Sequence, residues 1–178
     1  MARRALGKLA IACVAWSLAS VCGCQDPVRD NRVDALGPEE PGVPVGPLHR
    51  PGQPCLACHA GDGPGDSVFS QAGTVYKTSD RLDPLPDAIL HFIDSAHQEF
   101  MVGTNCAGNF FIDERDYAPS YPLWVNIEFG GVTIPMSTPI FREGSCATCH
   151  FDPPGRTSAG HVYLVPAPVT FPPTVGCQ

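Results

Sequence analysis

YPLWVNIEFGGVTIPM runs from Tyr121 to Met136. Two apolar, β-branched and aromatic stretches flank Gly130-Gly131, and a two-residue hairpin turn needs positive φ at both central positions, which glycine supplies without steric cost. The stretch therefore predicts two antiparallel strands, 121–129 and 132–136. The same rhythm extends outward in both directions. AGTVYKT (72–78) alternates as a strand does. DAILHFID (87–94) places Ala88, Leu90 and Phe92 on one face, QEFMVGT (98–104) follows it, and NFFI (109–112) comes after a turn at Ala107-Gly108. HVYLV (161–165) is the last such run. The chain carries 20 Pro and 18 Gly and has no long segment of helical period. Seven short strands with turn signals between them predict an all-β domain, a single seven-stranded immunoglobulin-like or transthyretin-like sandwich with its core at about 70–140.

Two pentapeptides bracket that core: CLACH at Cys55–His59 and CATCH at Cys146–His150. Cys-x-x-Cys-His is the spacing of a c-type haem attachment site. Two thiols three positions apart can add to the two vinyl groups on one edge of the porphyrin, and the next residue offers its imidazole to the iron. The expectation is two covalent c-type haems, held by Cys55 and Cys58 and by Cys146 and Cys149, with His59 and His150 as proximal iron ligands. Two other readings use the same thiols. A structural zinc site would bring its pairs close in sequence, whereas 87 residues lie between Cys58 and Cys146. Local disulfides would account for the cysteines but not for the histidine after each pair.

The sixth ligand of each iron is open. Its candidates are His49, His161, His91, His97 and Met136, with Met101 beside them. His or Met there gives an electron-transferring iron, and Met raises its potential. His49, in HRPGQPC, lies six residues before Cys55 and could fold back over its own haem. His161 lies eleven residues after His150.

The N-terminus says where the chain goes. MARRALGKLAIACVAWSLASVCGCQ opens with Arg3, Arg4 and Lys8 and continues with an apolar run too short for a comfortable membrane span, as a secretory signal does. Val21-Cys22-Gly23-Cys24 resembles a bacterial lipobox, so residues 1–23 are read as a lipoprotein signal peptide and Cys24 as the lipidated first residue. Cys22 is disfavoured because Val21 is large for the residue before cleavage. Gln25, being other than Asp, favours the outer membrane by the same resemblance. Residues 24–53 are rich in Pro, Gly and acidic side chains and are expected to be an extended tether. Residues 54–178 form the domain.

Removing residues 1–23 takes three of the 11 basic residues and none of the 18 acidic ones, leaving 8 against 18. That balance argues against nucleic acid as a partner and leaves the lipid anchor as the contact with membrane. Of the nine cysteines, Cys13 and Cys22 leave with the signal, Cys24 takes lipid, and four belong to the repeated motif. Cys106 and Cys177 remain, and two spare thiols in an oxidising compartment suggest a disulfide.

The order of the strands carries a family resemblance. Gly73-x-Val75, then Leu90-x-Phe92-x-Asp94, then Thr104-Asn105-x-x-Gly108-x-Phe110 resembles the carboxypeptidase-regulatory, transthyretin-like β-sandwich. With GSCATCHFDPPGR (144–156), the chain from Pro54 to Leu164 is similar to small bacterial di-haem lipoproteins in which a CxxCH element lies on each side of such a sandwich. Cys106 inside the turn departs from that pattern. These sandwiches are non-catalytic modules, so the resemblance implies no catalytic residue. The expected function is electron transfer at the cell envelope, facing periplasm or surface, with other redox proteins as partners. The alternative is an anchored binding module in which the CxxCH sites are structural, holding haem, zinc or a disulfide; an exposed cluster of Tyr121, Trp124 and Tyr163 would favour it. A small peroxidase would need a distal acid or base that nothing in the sequence marks.

Overall fold

The computed structural model describes residues 26–39, 41–61, 63–166 and 171; the expected signal peptide, Cys24 and Cys177 lie outside them. Among the described residues nine strands form: β1 (Phe69–Thr74), β2 (Tyr76–Thr78), β3 (Arg81–Pro84), β4 (Ile89–Ile93), β5 (Glu99–Gly103), β6 (Asn109–Asp113), β7 (Trp124–Phe129), β8 (Val132–Pro135) and β9 (Tyr163–Val165). The class is all-β. The strand count exceeds the seven expected for two local reasons. AGTVYKT is broken at Val75 into β1 and β2, and Arg81–Pro84, which has no alternation to reveal it, pairs antiparallel with β2.

The hairpin at Gly130-Gly131 forms as its sequence requires. Both glycines have positive φ, 58° and 79°, and β7 and β8 pair from Phe129↔Val132 to Asn126↔Pro135. This hairpin is half of a four-stranded antiparallel sheet ordered β5-β4-β7-β8. A three-stranded sheet, β3-β2-β9, and a two-stranded one, β1-β6, are joined through the chain at Val75. The inner faces meet in one core. Leu90 and Phe92 of β4 and Val125 and Ile127 of β7 pack with Phe110 and Ile112 of β6, Leu164 of β9, Val75 and Leu85. Each of the larger side chains contributes roughly 1.5–3 kcal/mol by leaving water.

Polar pins hold the ends of these strands. Thr104 Oγ1 donates to Leu85 O at 2.6 Å and accepts from Ala88 N at 2.9 Å. Asn105 Oδ1 accepts from the amides of Ala107 and Asn109, closing the turn before β6. Asp94, almost wholly buried, ends β4 and gathers three amides: Ala96 and Gln98 donate to Oδ1, and Ser120 donates to Oδ2 at 2.9 Å. Its carboxylate thus ties the β4–β5 turn to the loop before β7.

The stretch expected to be an extended tether is not one throughout. Pro27–Ala35 is a helix, α1, with Asp26 as N-cap accepting from Val28 N and Arg29 N and a proline at its start, the residue pattern that opens helices. The chain from Pro47 to Gln53 then lies against the domain. Asn105 Nδ2 donates to Pro47 O at 2.7 Å, Asn109 Nδ2 to His49 O at 3.1 Å, and Gly52 N to Thr74 Oγ1 at 2.7 Å. Composition misled because an irregular segment needs no core of its own when a sheet's polar side chains satisfy its backbone.

Donation from the Ser120, Gln98 and Ala96 amides holds the Asp94 carboxyl below its ordinary 3.8. A carboxyl depressed in the folded state contributes stability that is complete above about pH 4 and is lost as pH falls through the folded value. Asp94→Asn presents an NH2 group where an amide donor needs an acceptor. It is expected to lower the thermal midpoint at pH 7 by several degrees and to flatten the loss of stability on acidification. Circular-dichroism melts of both proteins from pH 7 to pH 2.5 check this, and parallel pH profiles would refute it.

Candidate haem-attachment site

Both pentapeptides fold the same way. Leu56–His59 is one helical turn, α2, and Cys146–Thr148 is one 3₁₀ turn. In the first, Cys58 N and His59 N both donate to Cys55 O, at 3.2 and 2.9 Å. In the second, Cys149 N and His150 N both donate to Cys146 O, at 3.1 and 2.8 Å. The same backbone hydrogen bonds therefore turn the chain at both motifs.

The imidazoles are oriented alike as well. His59 Nδ1 lies 2.9 Å from Ser67 O, and His150 Nδ1 lies 3.0 Å from Gly160 O. A carbonyl oxygen only accepts, so Nδ1 carries the hydrogen in both rings and Nε2 is left with its lone pair. A metal-binding histidine is commonly fixed by such a bond from its other nitrogen. A Cβ at Gly65 would sit 2.5 Å from His59 Nδ1, so only glycine lets the loop wall that edge of the ring.

The two motifs converge on β1. Phe69–Thr74 pairs with β6 along one edge. Along the other, Ala72 N donates to Gly144 O at 2.9 Å and Ala72 bridges Ser145 in parallel, which delivers Cys146 to the strand. Gly73 makes room for it: a Cβ there would lie 2.8 Å from Cys146 Cβ and 2.9 Å from its Sγ. Leu56 of the first motif reaches the same place, its Cδ2 2.9 Å from where a Gly144 Cβ would be. Both turns thus cover β1, whose residues from Gln71 to Thr74 are buried.

All four motif thiols are free. Desolvation pushes the Cys55 thiol up to about 11, and burial together with the neighbouring Cys55 pushes Cys146 up to about 12. Cys149 is exposed. The thiols are not paired within either motif, and among the described residues no group of three or more His, Cys, Asp or Glu is gathered to hold a metal ion. A c-type haem asks for neither, only two thiols and one imidazole per turn.

The first motif opens on a cleft of about 970 Å³, at the upper end of small-molecule sites. Cys55, Cys58, His59, His49, Phe69 and Phe111 line it, together with Met101, Arg50 and Asp113. His49, His59, Phe69 and Phe111 form a ladder of rings, with successive centres 5.9, 4.4 and 5.0 Å apart. The size and the aromatic walls fit a porphyrin edge and face. The second motif faces outward, with Cys149 exposed and Phe151 39% exposed beside it.

The other sixth-ligand candidates are placed as follows. His161 is buried with both nitrogens engaged, Nδ1 at 2.7 Å from Asp152 Oδ2 and Nε2 at 2.9 Å from Thr78 O. It locks the segment after the second motif onto β2 and has no nitrogen to spare. His91 faces Glu128 Oε2 at 3.1 Å across the four-stranded sheet. His97 is exposed in the β4–β5 turn with φ 61°. Met136 packs on the hydrophobic core. Cys106 is disulfide-bonded, and its expected partner Cys177 lies outside the described residues. Phe171 rests near Phe129, 6.3 Å between ring centres. Trp124 is 45% exposed on β7 while Tyr163 is on β9 of another sheet, and Tyr121 accepts from Gln71. The three aromatics make no common patch.

Protein-family models, curated proteins and solved structures contain no match to the chain.

The buried thiols give a test of the local geometry in protein prepared without haem. A thiol moved from 9.0 to about 11 has a thiolate fraction lower by roughly 100-fold at neutral pH. Iodoacetamide should therefore modify Cys149 first. Cys55 and Cys146 should follow slowly and speed up as pH rises toward 10. Peptide mass spectrometry after timed quenching reads the order, and equal rates at all four thiols would contradict it. Gly73→Val should displace Cys146 and raise its alkylation rate by at least tenfold while leaving Cys58 unchanged.

Proposed function

We propose that the chain is an exported di-haem c-type cytochrome that passes electrons at the cell envelope. The observation that carries the reading is the repeated turn: two CxxCH segments with the same backbone hydrogen bonds, each presenting an imidazole with Nδ1 on a carbonyl and Nε2 free. A zinc or disulfide origin gives no reason for a histidine in that orientation after each pair. Cys55 and Cys58 would form thioethers to one haem and His59 would bind its iron; Cys146, Cys149 and His150 would hold the second. Haem supplies a one-electron couple, whose potential is set by the axial ligands and burial. The chain does the rest. Gly73 and the Ala72 backbone hold the second turn on β1, and Leu56 of the first turn reaches Gly144 beside it, so the two attachment sites share a flank. The aromatic ladder at His59 walls the first site, while the second is open toward a partner.

The finer reading of the fold is that of the transthyretin-like sandwich, with the CxxCH segments borne on loops at its flank. The strand pattern ending at Asp94 and the Thr104-Asn105 turn support it, since those residues hold the strand ends. Cys24 would carry lipid, placing the domain at the outer membrane and facing periplasm or surface. Among the described residues no helix is long and apolar enough to cross a membrane, so contact with the bilayer would rest on that anchor. Partners would be other redox proteins of the envelope, and no enzymatic role is assigned.

The test is intact mass and a visible spectrum of the mature protein made with haem-attachment machinery. The expected result is a mass gain of two haems and sharp low-spin bands on reduction. Cys55→Ala with Cys58→Ala should keep one haem, and Cys146→Ala with Cys149→Ala should keep the other. A haem-free protein with four titratable thiols would overturn the reading.

A further inference from the structure

The segment before the first motif is fastened more firmly than a linker needs. Between Pro47 and Gln53 its backbone is held by Asn105, Asn109 and Thr74, as described above. Arg50, at φ 50°, adds a clamp from the other side, donating to Glu39 Oε1 at 2.9 Å, Gly37 O at 2.7 Å and Gln53 Oε1 at 2.8 Å. What this framework carries is His49. Its ring stands 5.9 Å from that of His59, centre to centre, and 26° from parallel, and both rings line the same cleft.

That spacing has a chemical meaning. Metal–imidazole bonds are about 2 Å long. The ring centre lies roughly 1 Å beyond the nitrogen, so two imidazoles on opposite sides of one iron hold their centres about 6 Å apart. Each competing histidine is engaged or away from the cleft, and Met136 is in the core. Met101 lines the cleft but is 63% exposed on the outer face of β5.

We propose that His49 is the second axial ligand of the iron bound by His59, so that Pro47–Gln53 is a ligand-bearing cap on the first haem site. The proposal rests on the di-haem reading above. In the structure Nδ1 of His49 accepts from Gly46 N at 3.2 Å, which leaves the ring hydrogen on Nε2. Binding through Nε2 sends that proton to solvent and places one on Nδ1, exchanging the Gly46 bond for the metal bond.

The test compares wild type, His49→Ala, His49→Met and Met101→Leu by intact mass, electron paramagnetic resonance and redox titration. Wild type with two haems and a His49→Ala variant that keeps both, but turns one of its two low-spin signals high-spin, is the expected result. Added imidazole should restore that signal. His49→Met should raise one of the two midpoint potentials, and it decides the matter if the alanine variant fails to fold. Met101→Leu should match wild type. Two haems with signals and potentials unmoved by both His49 substitutions would overturn the assignment and leave the di-haem reading intact. A wild-type protein without haem would overturn that reading and this one with it.

Discussion

The structure depends on how closely backbone can approach β1 at Ala72 and Gly73. Ala72 is hydrogen-bonded through the strand ladder to β6 on one side and to Gly144 on the other, and it is wholly buried. Gly73 leaves the space into which Cys146 fits. A strand that is buried on both faces usually lies between two layers of secondary structure. Here one covering layer is the hydrophobic core and the other is made of two single turns that have almost no core of their own. Those turns are stable because β1 supplies their missing contacts. Stability and the placement of both CxxCH motifs therefore meet at one strand.

That arrangement also explains the asymmetry of the two sites. The first turn is followed by a loop that returns through Gly65 and Ser67 to pin His59, and it is preceded by a segment fastened to Asn105, Asn109 and Thr74. It is enclosed from both chain directions. The second turn is preceded by the two residues bound to Ala72 and followed by Asp152, whose carboxylate meets His161 above Thr78. Those bonds draw the following chain down to β2 and leave Cys149 in solvent. An enclosed site and an open one on the same flank suit different tasks. Under the proposed di-haem reading, the more enclosed site would fix a haem potential and the exposed edge would admit a partner.

The strands were legible where side chains alternate. The five runs that define β4 to β8 are found within two or three residues of their predicted places: β4, β6 and β7 because their inward faces carry Leu90, Phe92, Phe110, Val125 and Ile127, and β8, exposed throughout, because Gly130-Gly131 marks its hairpin. Arg81–Pro84 was not legible. It is a short edge strand with exposed Arg81 and Leu82, set by its pairing to Tyr76 and Thr78 and not by burial. The helix at Pro27 had a legible start in Asp26-Pro27, obscured by a composition that reads as linker. The two motifs and their shared spacing were plain in the sequence. Their convergence was not, since it follows from one glycine and one bridged alanine in a strand whose sequence marks neither.

The ranking of the histidines shows why the site was only half readable. In the sequence His49 and His161 are equivalent, each a few residues from a motif. The difference between them lies in partners that are distant in the chain: Thr78 for His161, and Asn105 and Asn109 for the segment of His49. A buried histidine with an acceptor at each nitrogen is a structural clasp, because detaching either bond leaves a buried polar group unpaired. A histidine carried on a segment whose backbone is held by other groups keeps its ring available. The same asparagine that closes the turn into β6 reaches across to Pro47, so the logic of a turn, an amide satisfying its own loop, is extended here to aim a second loop at the cleft.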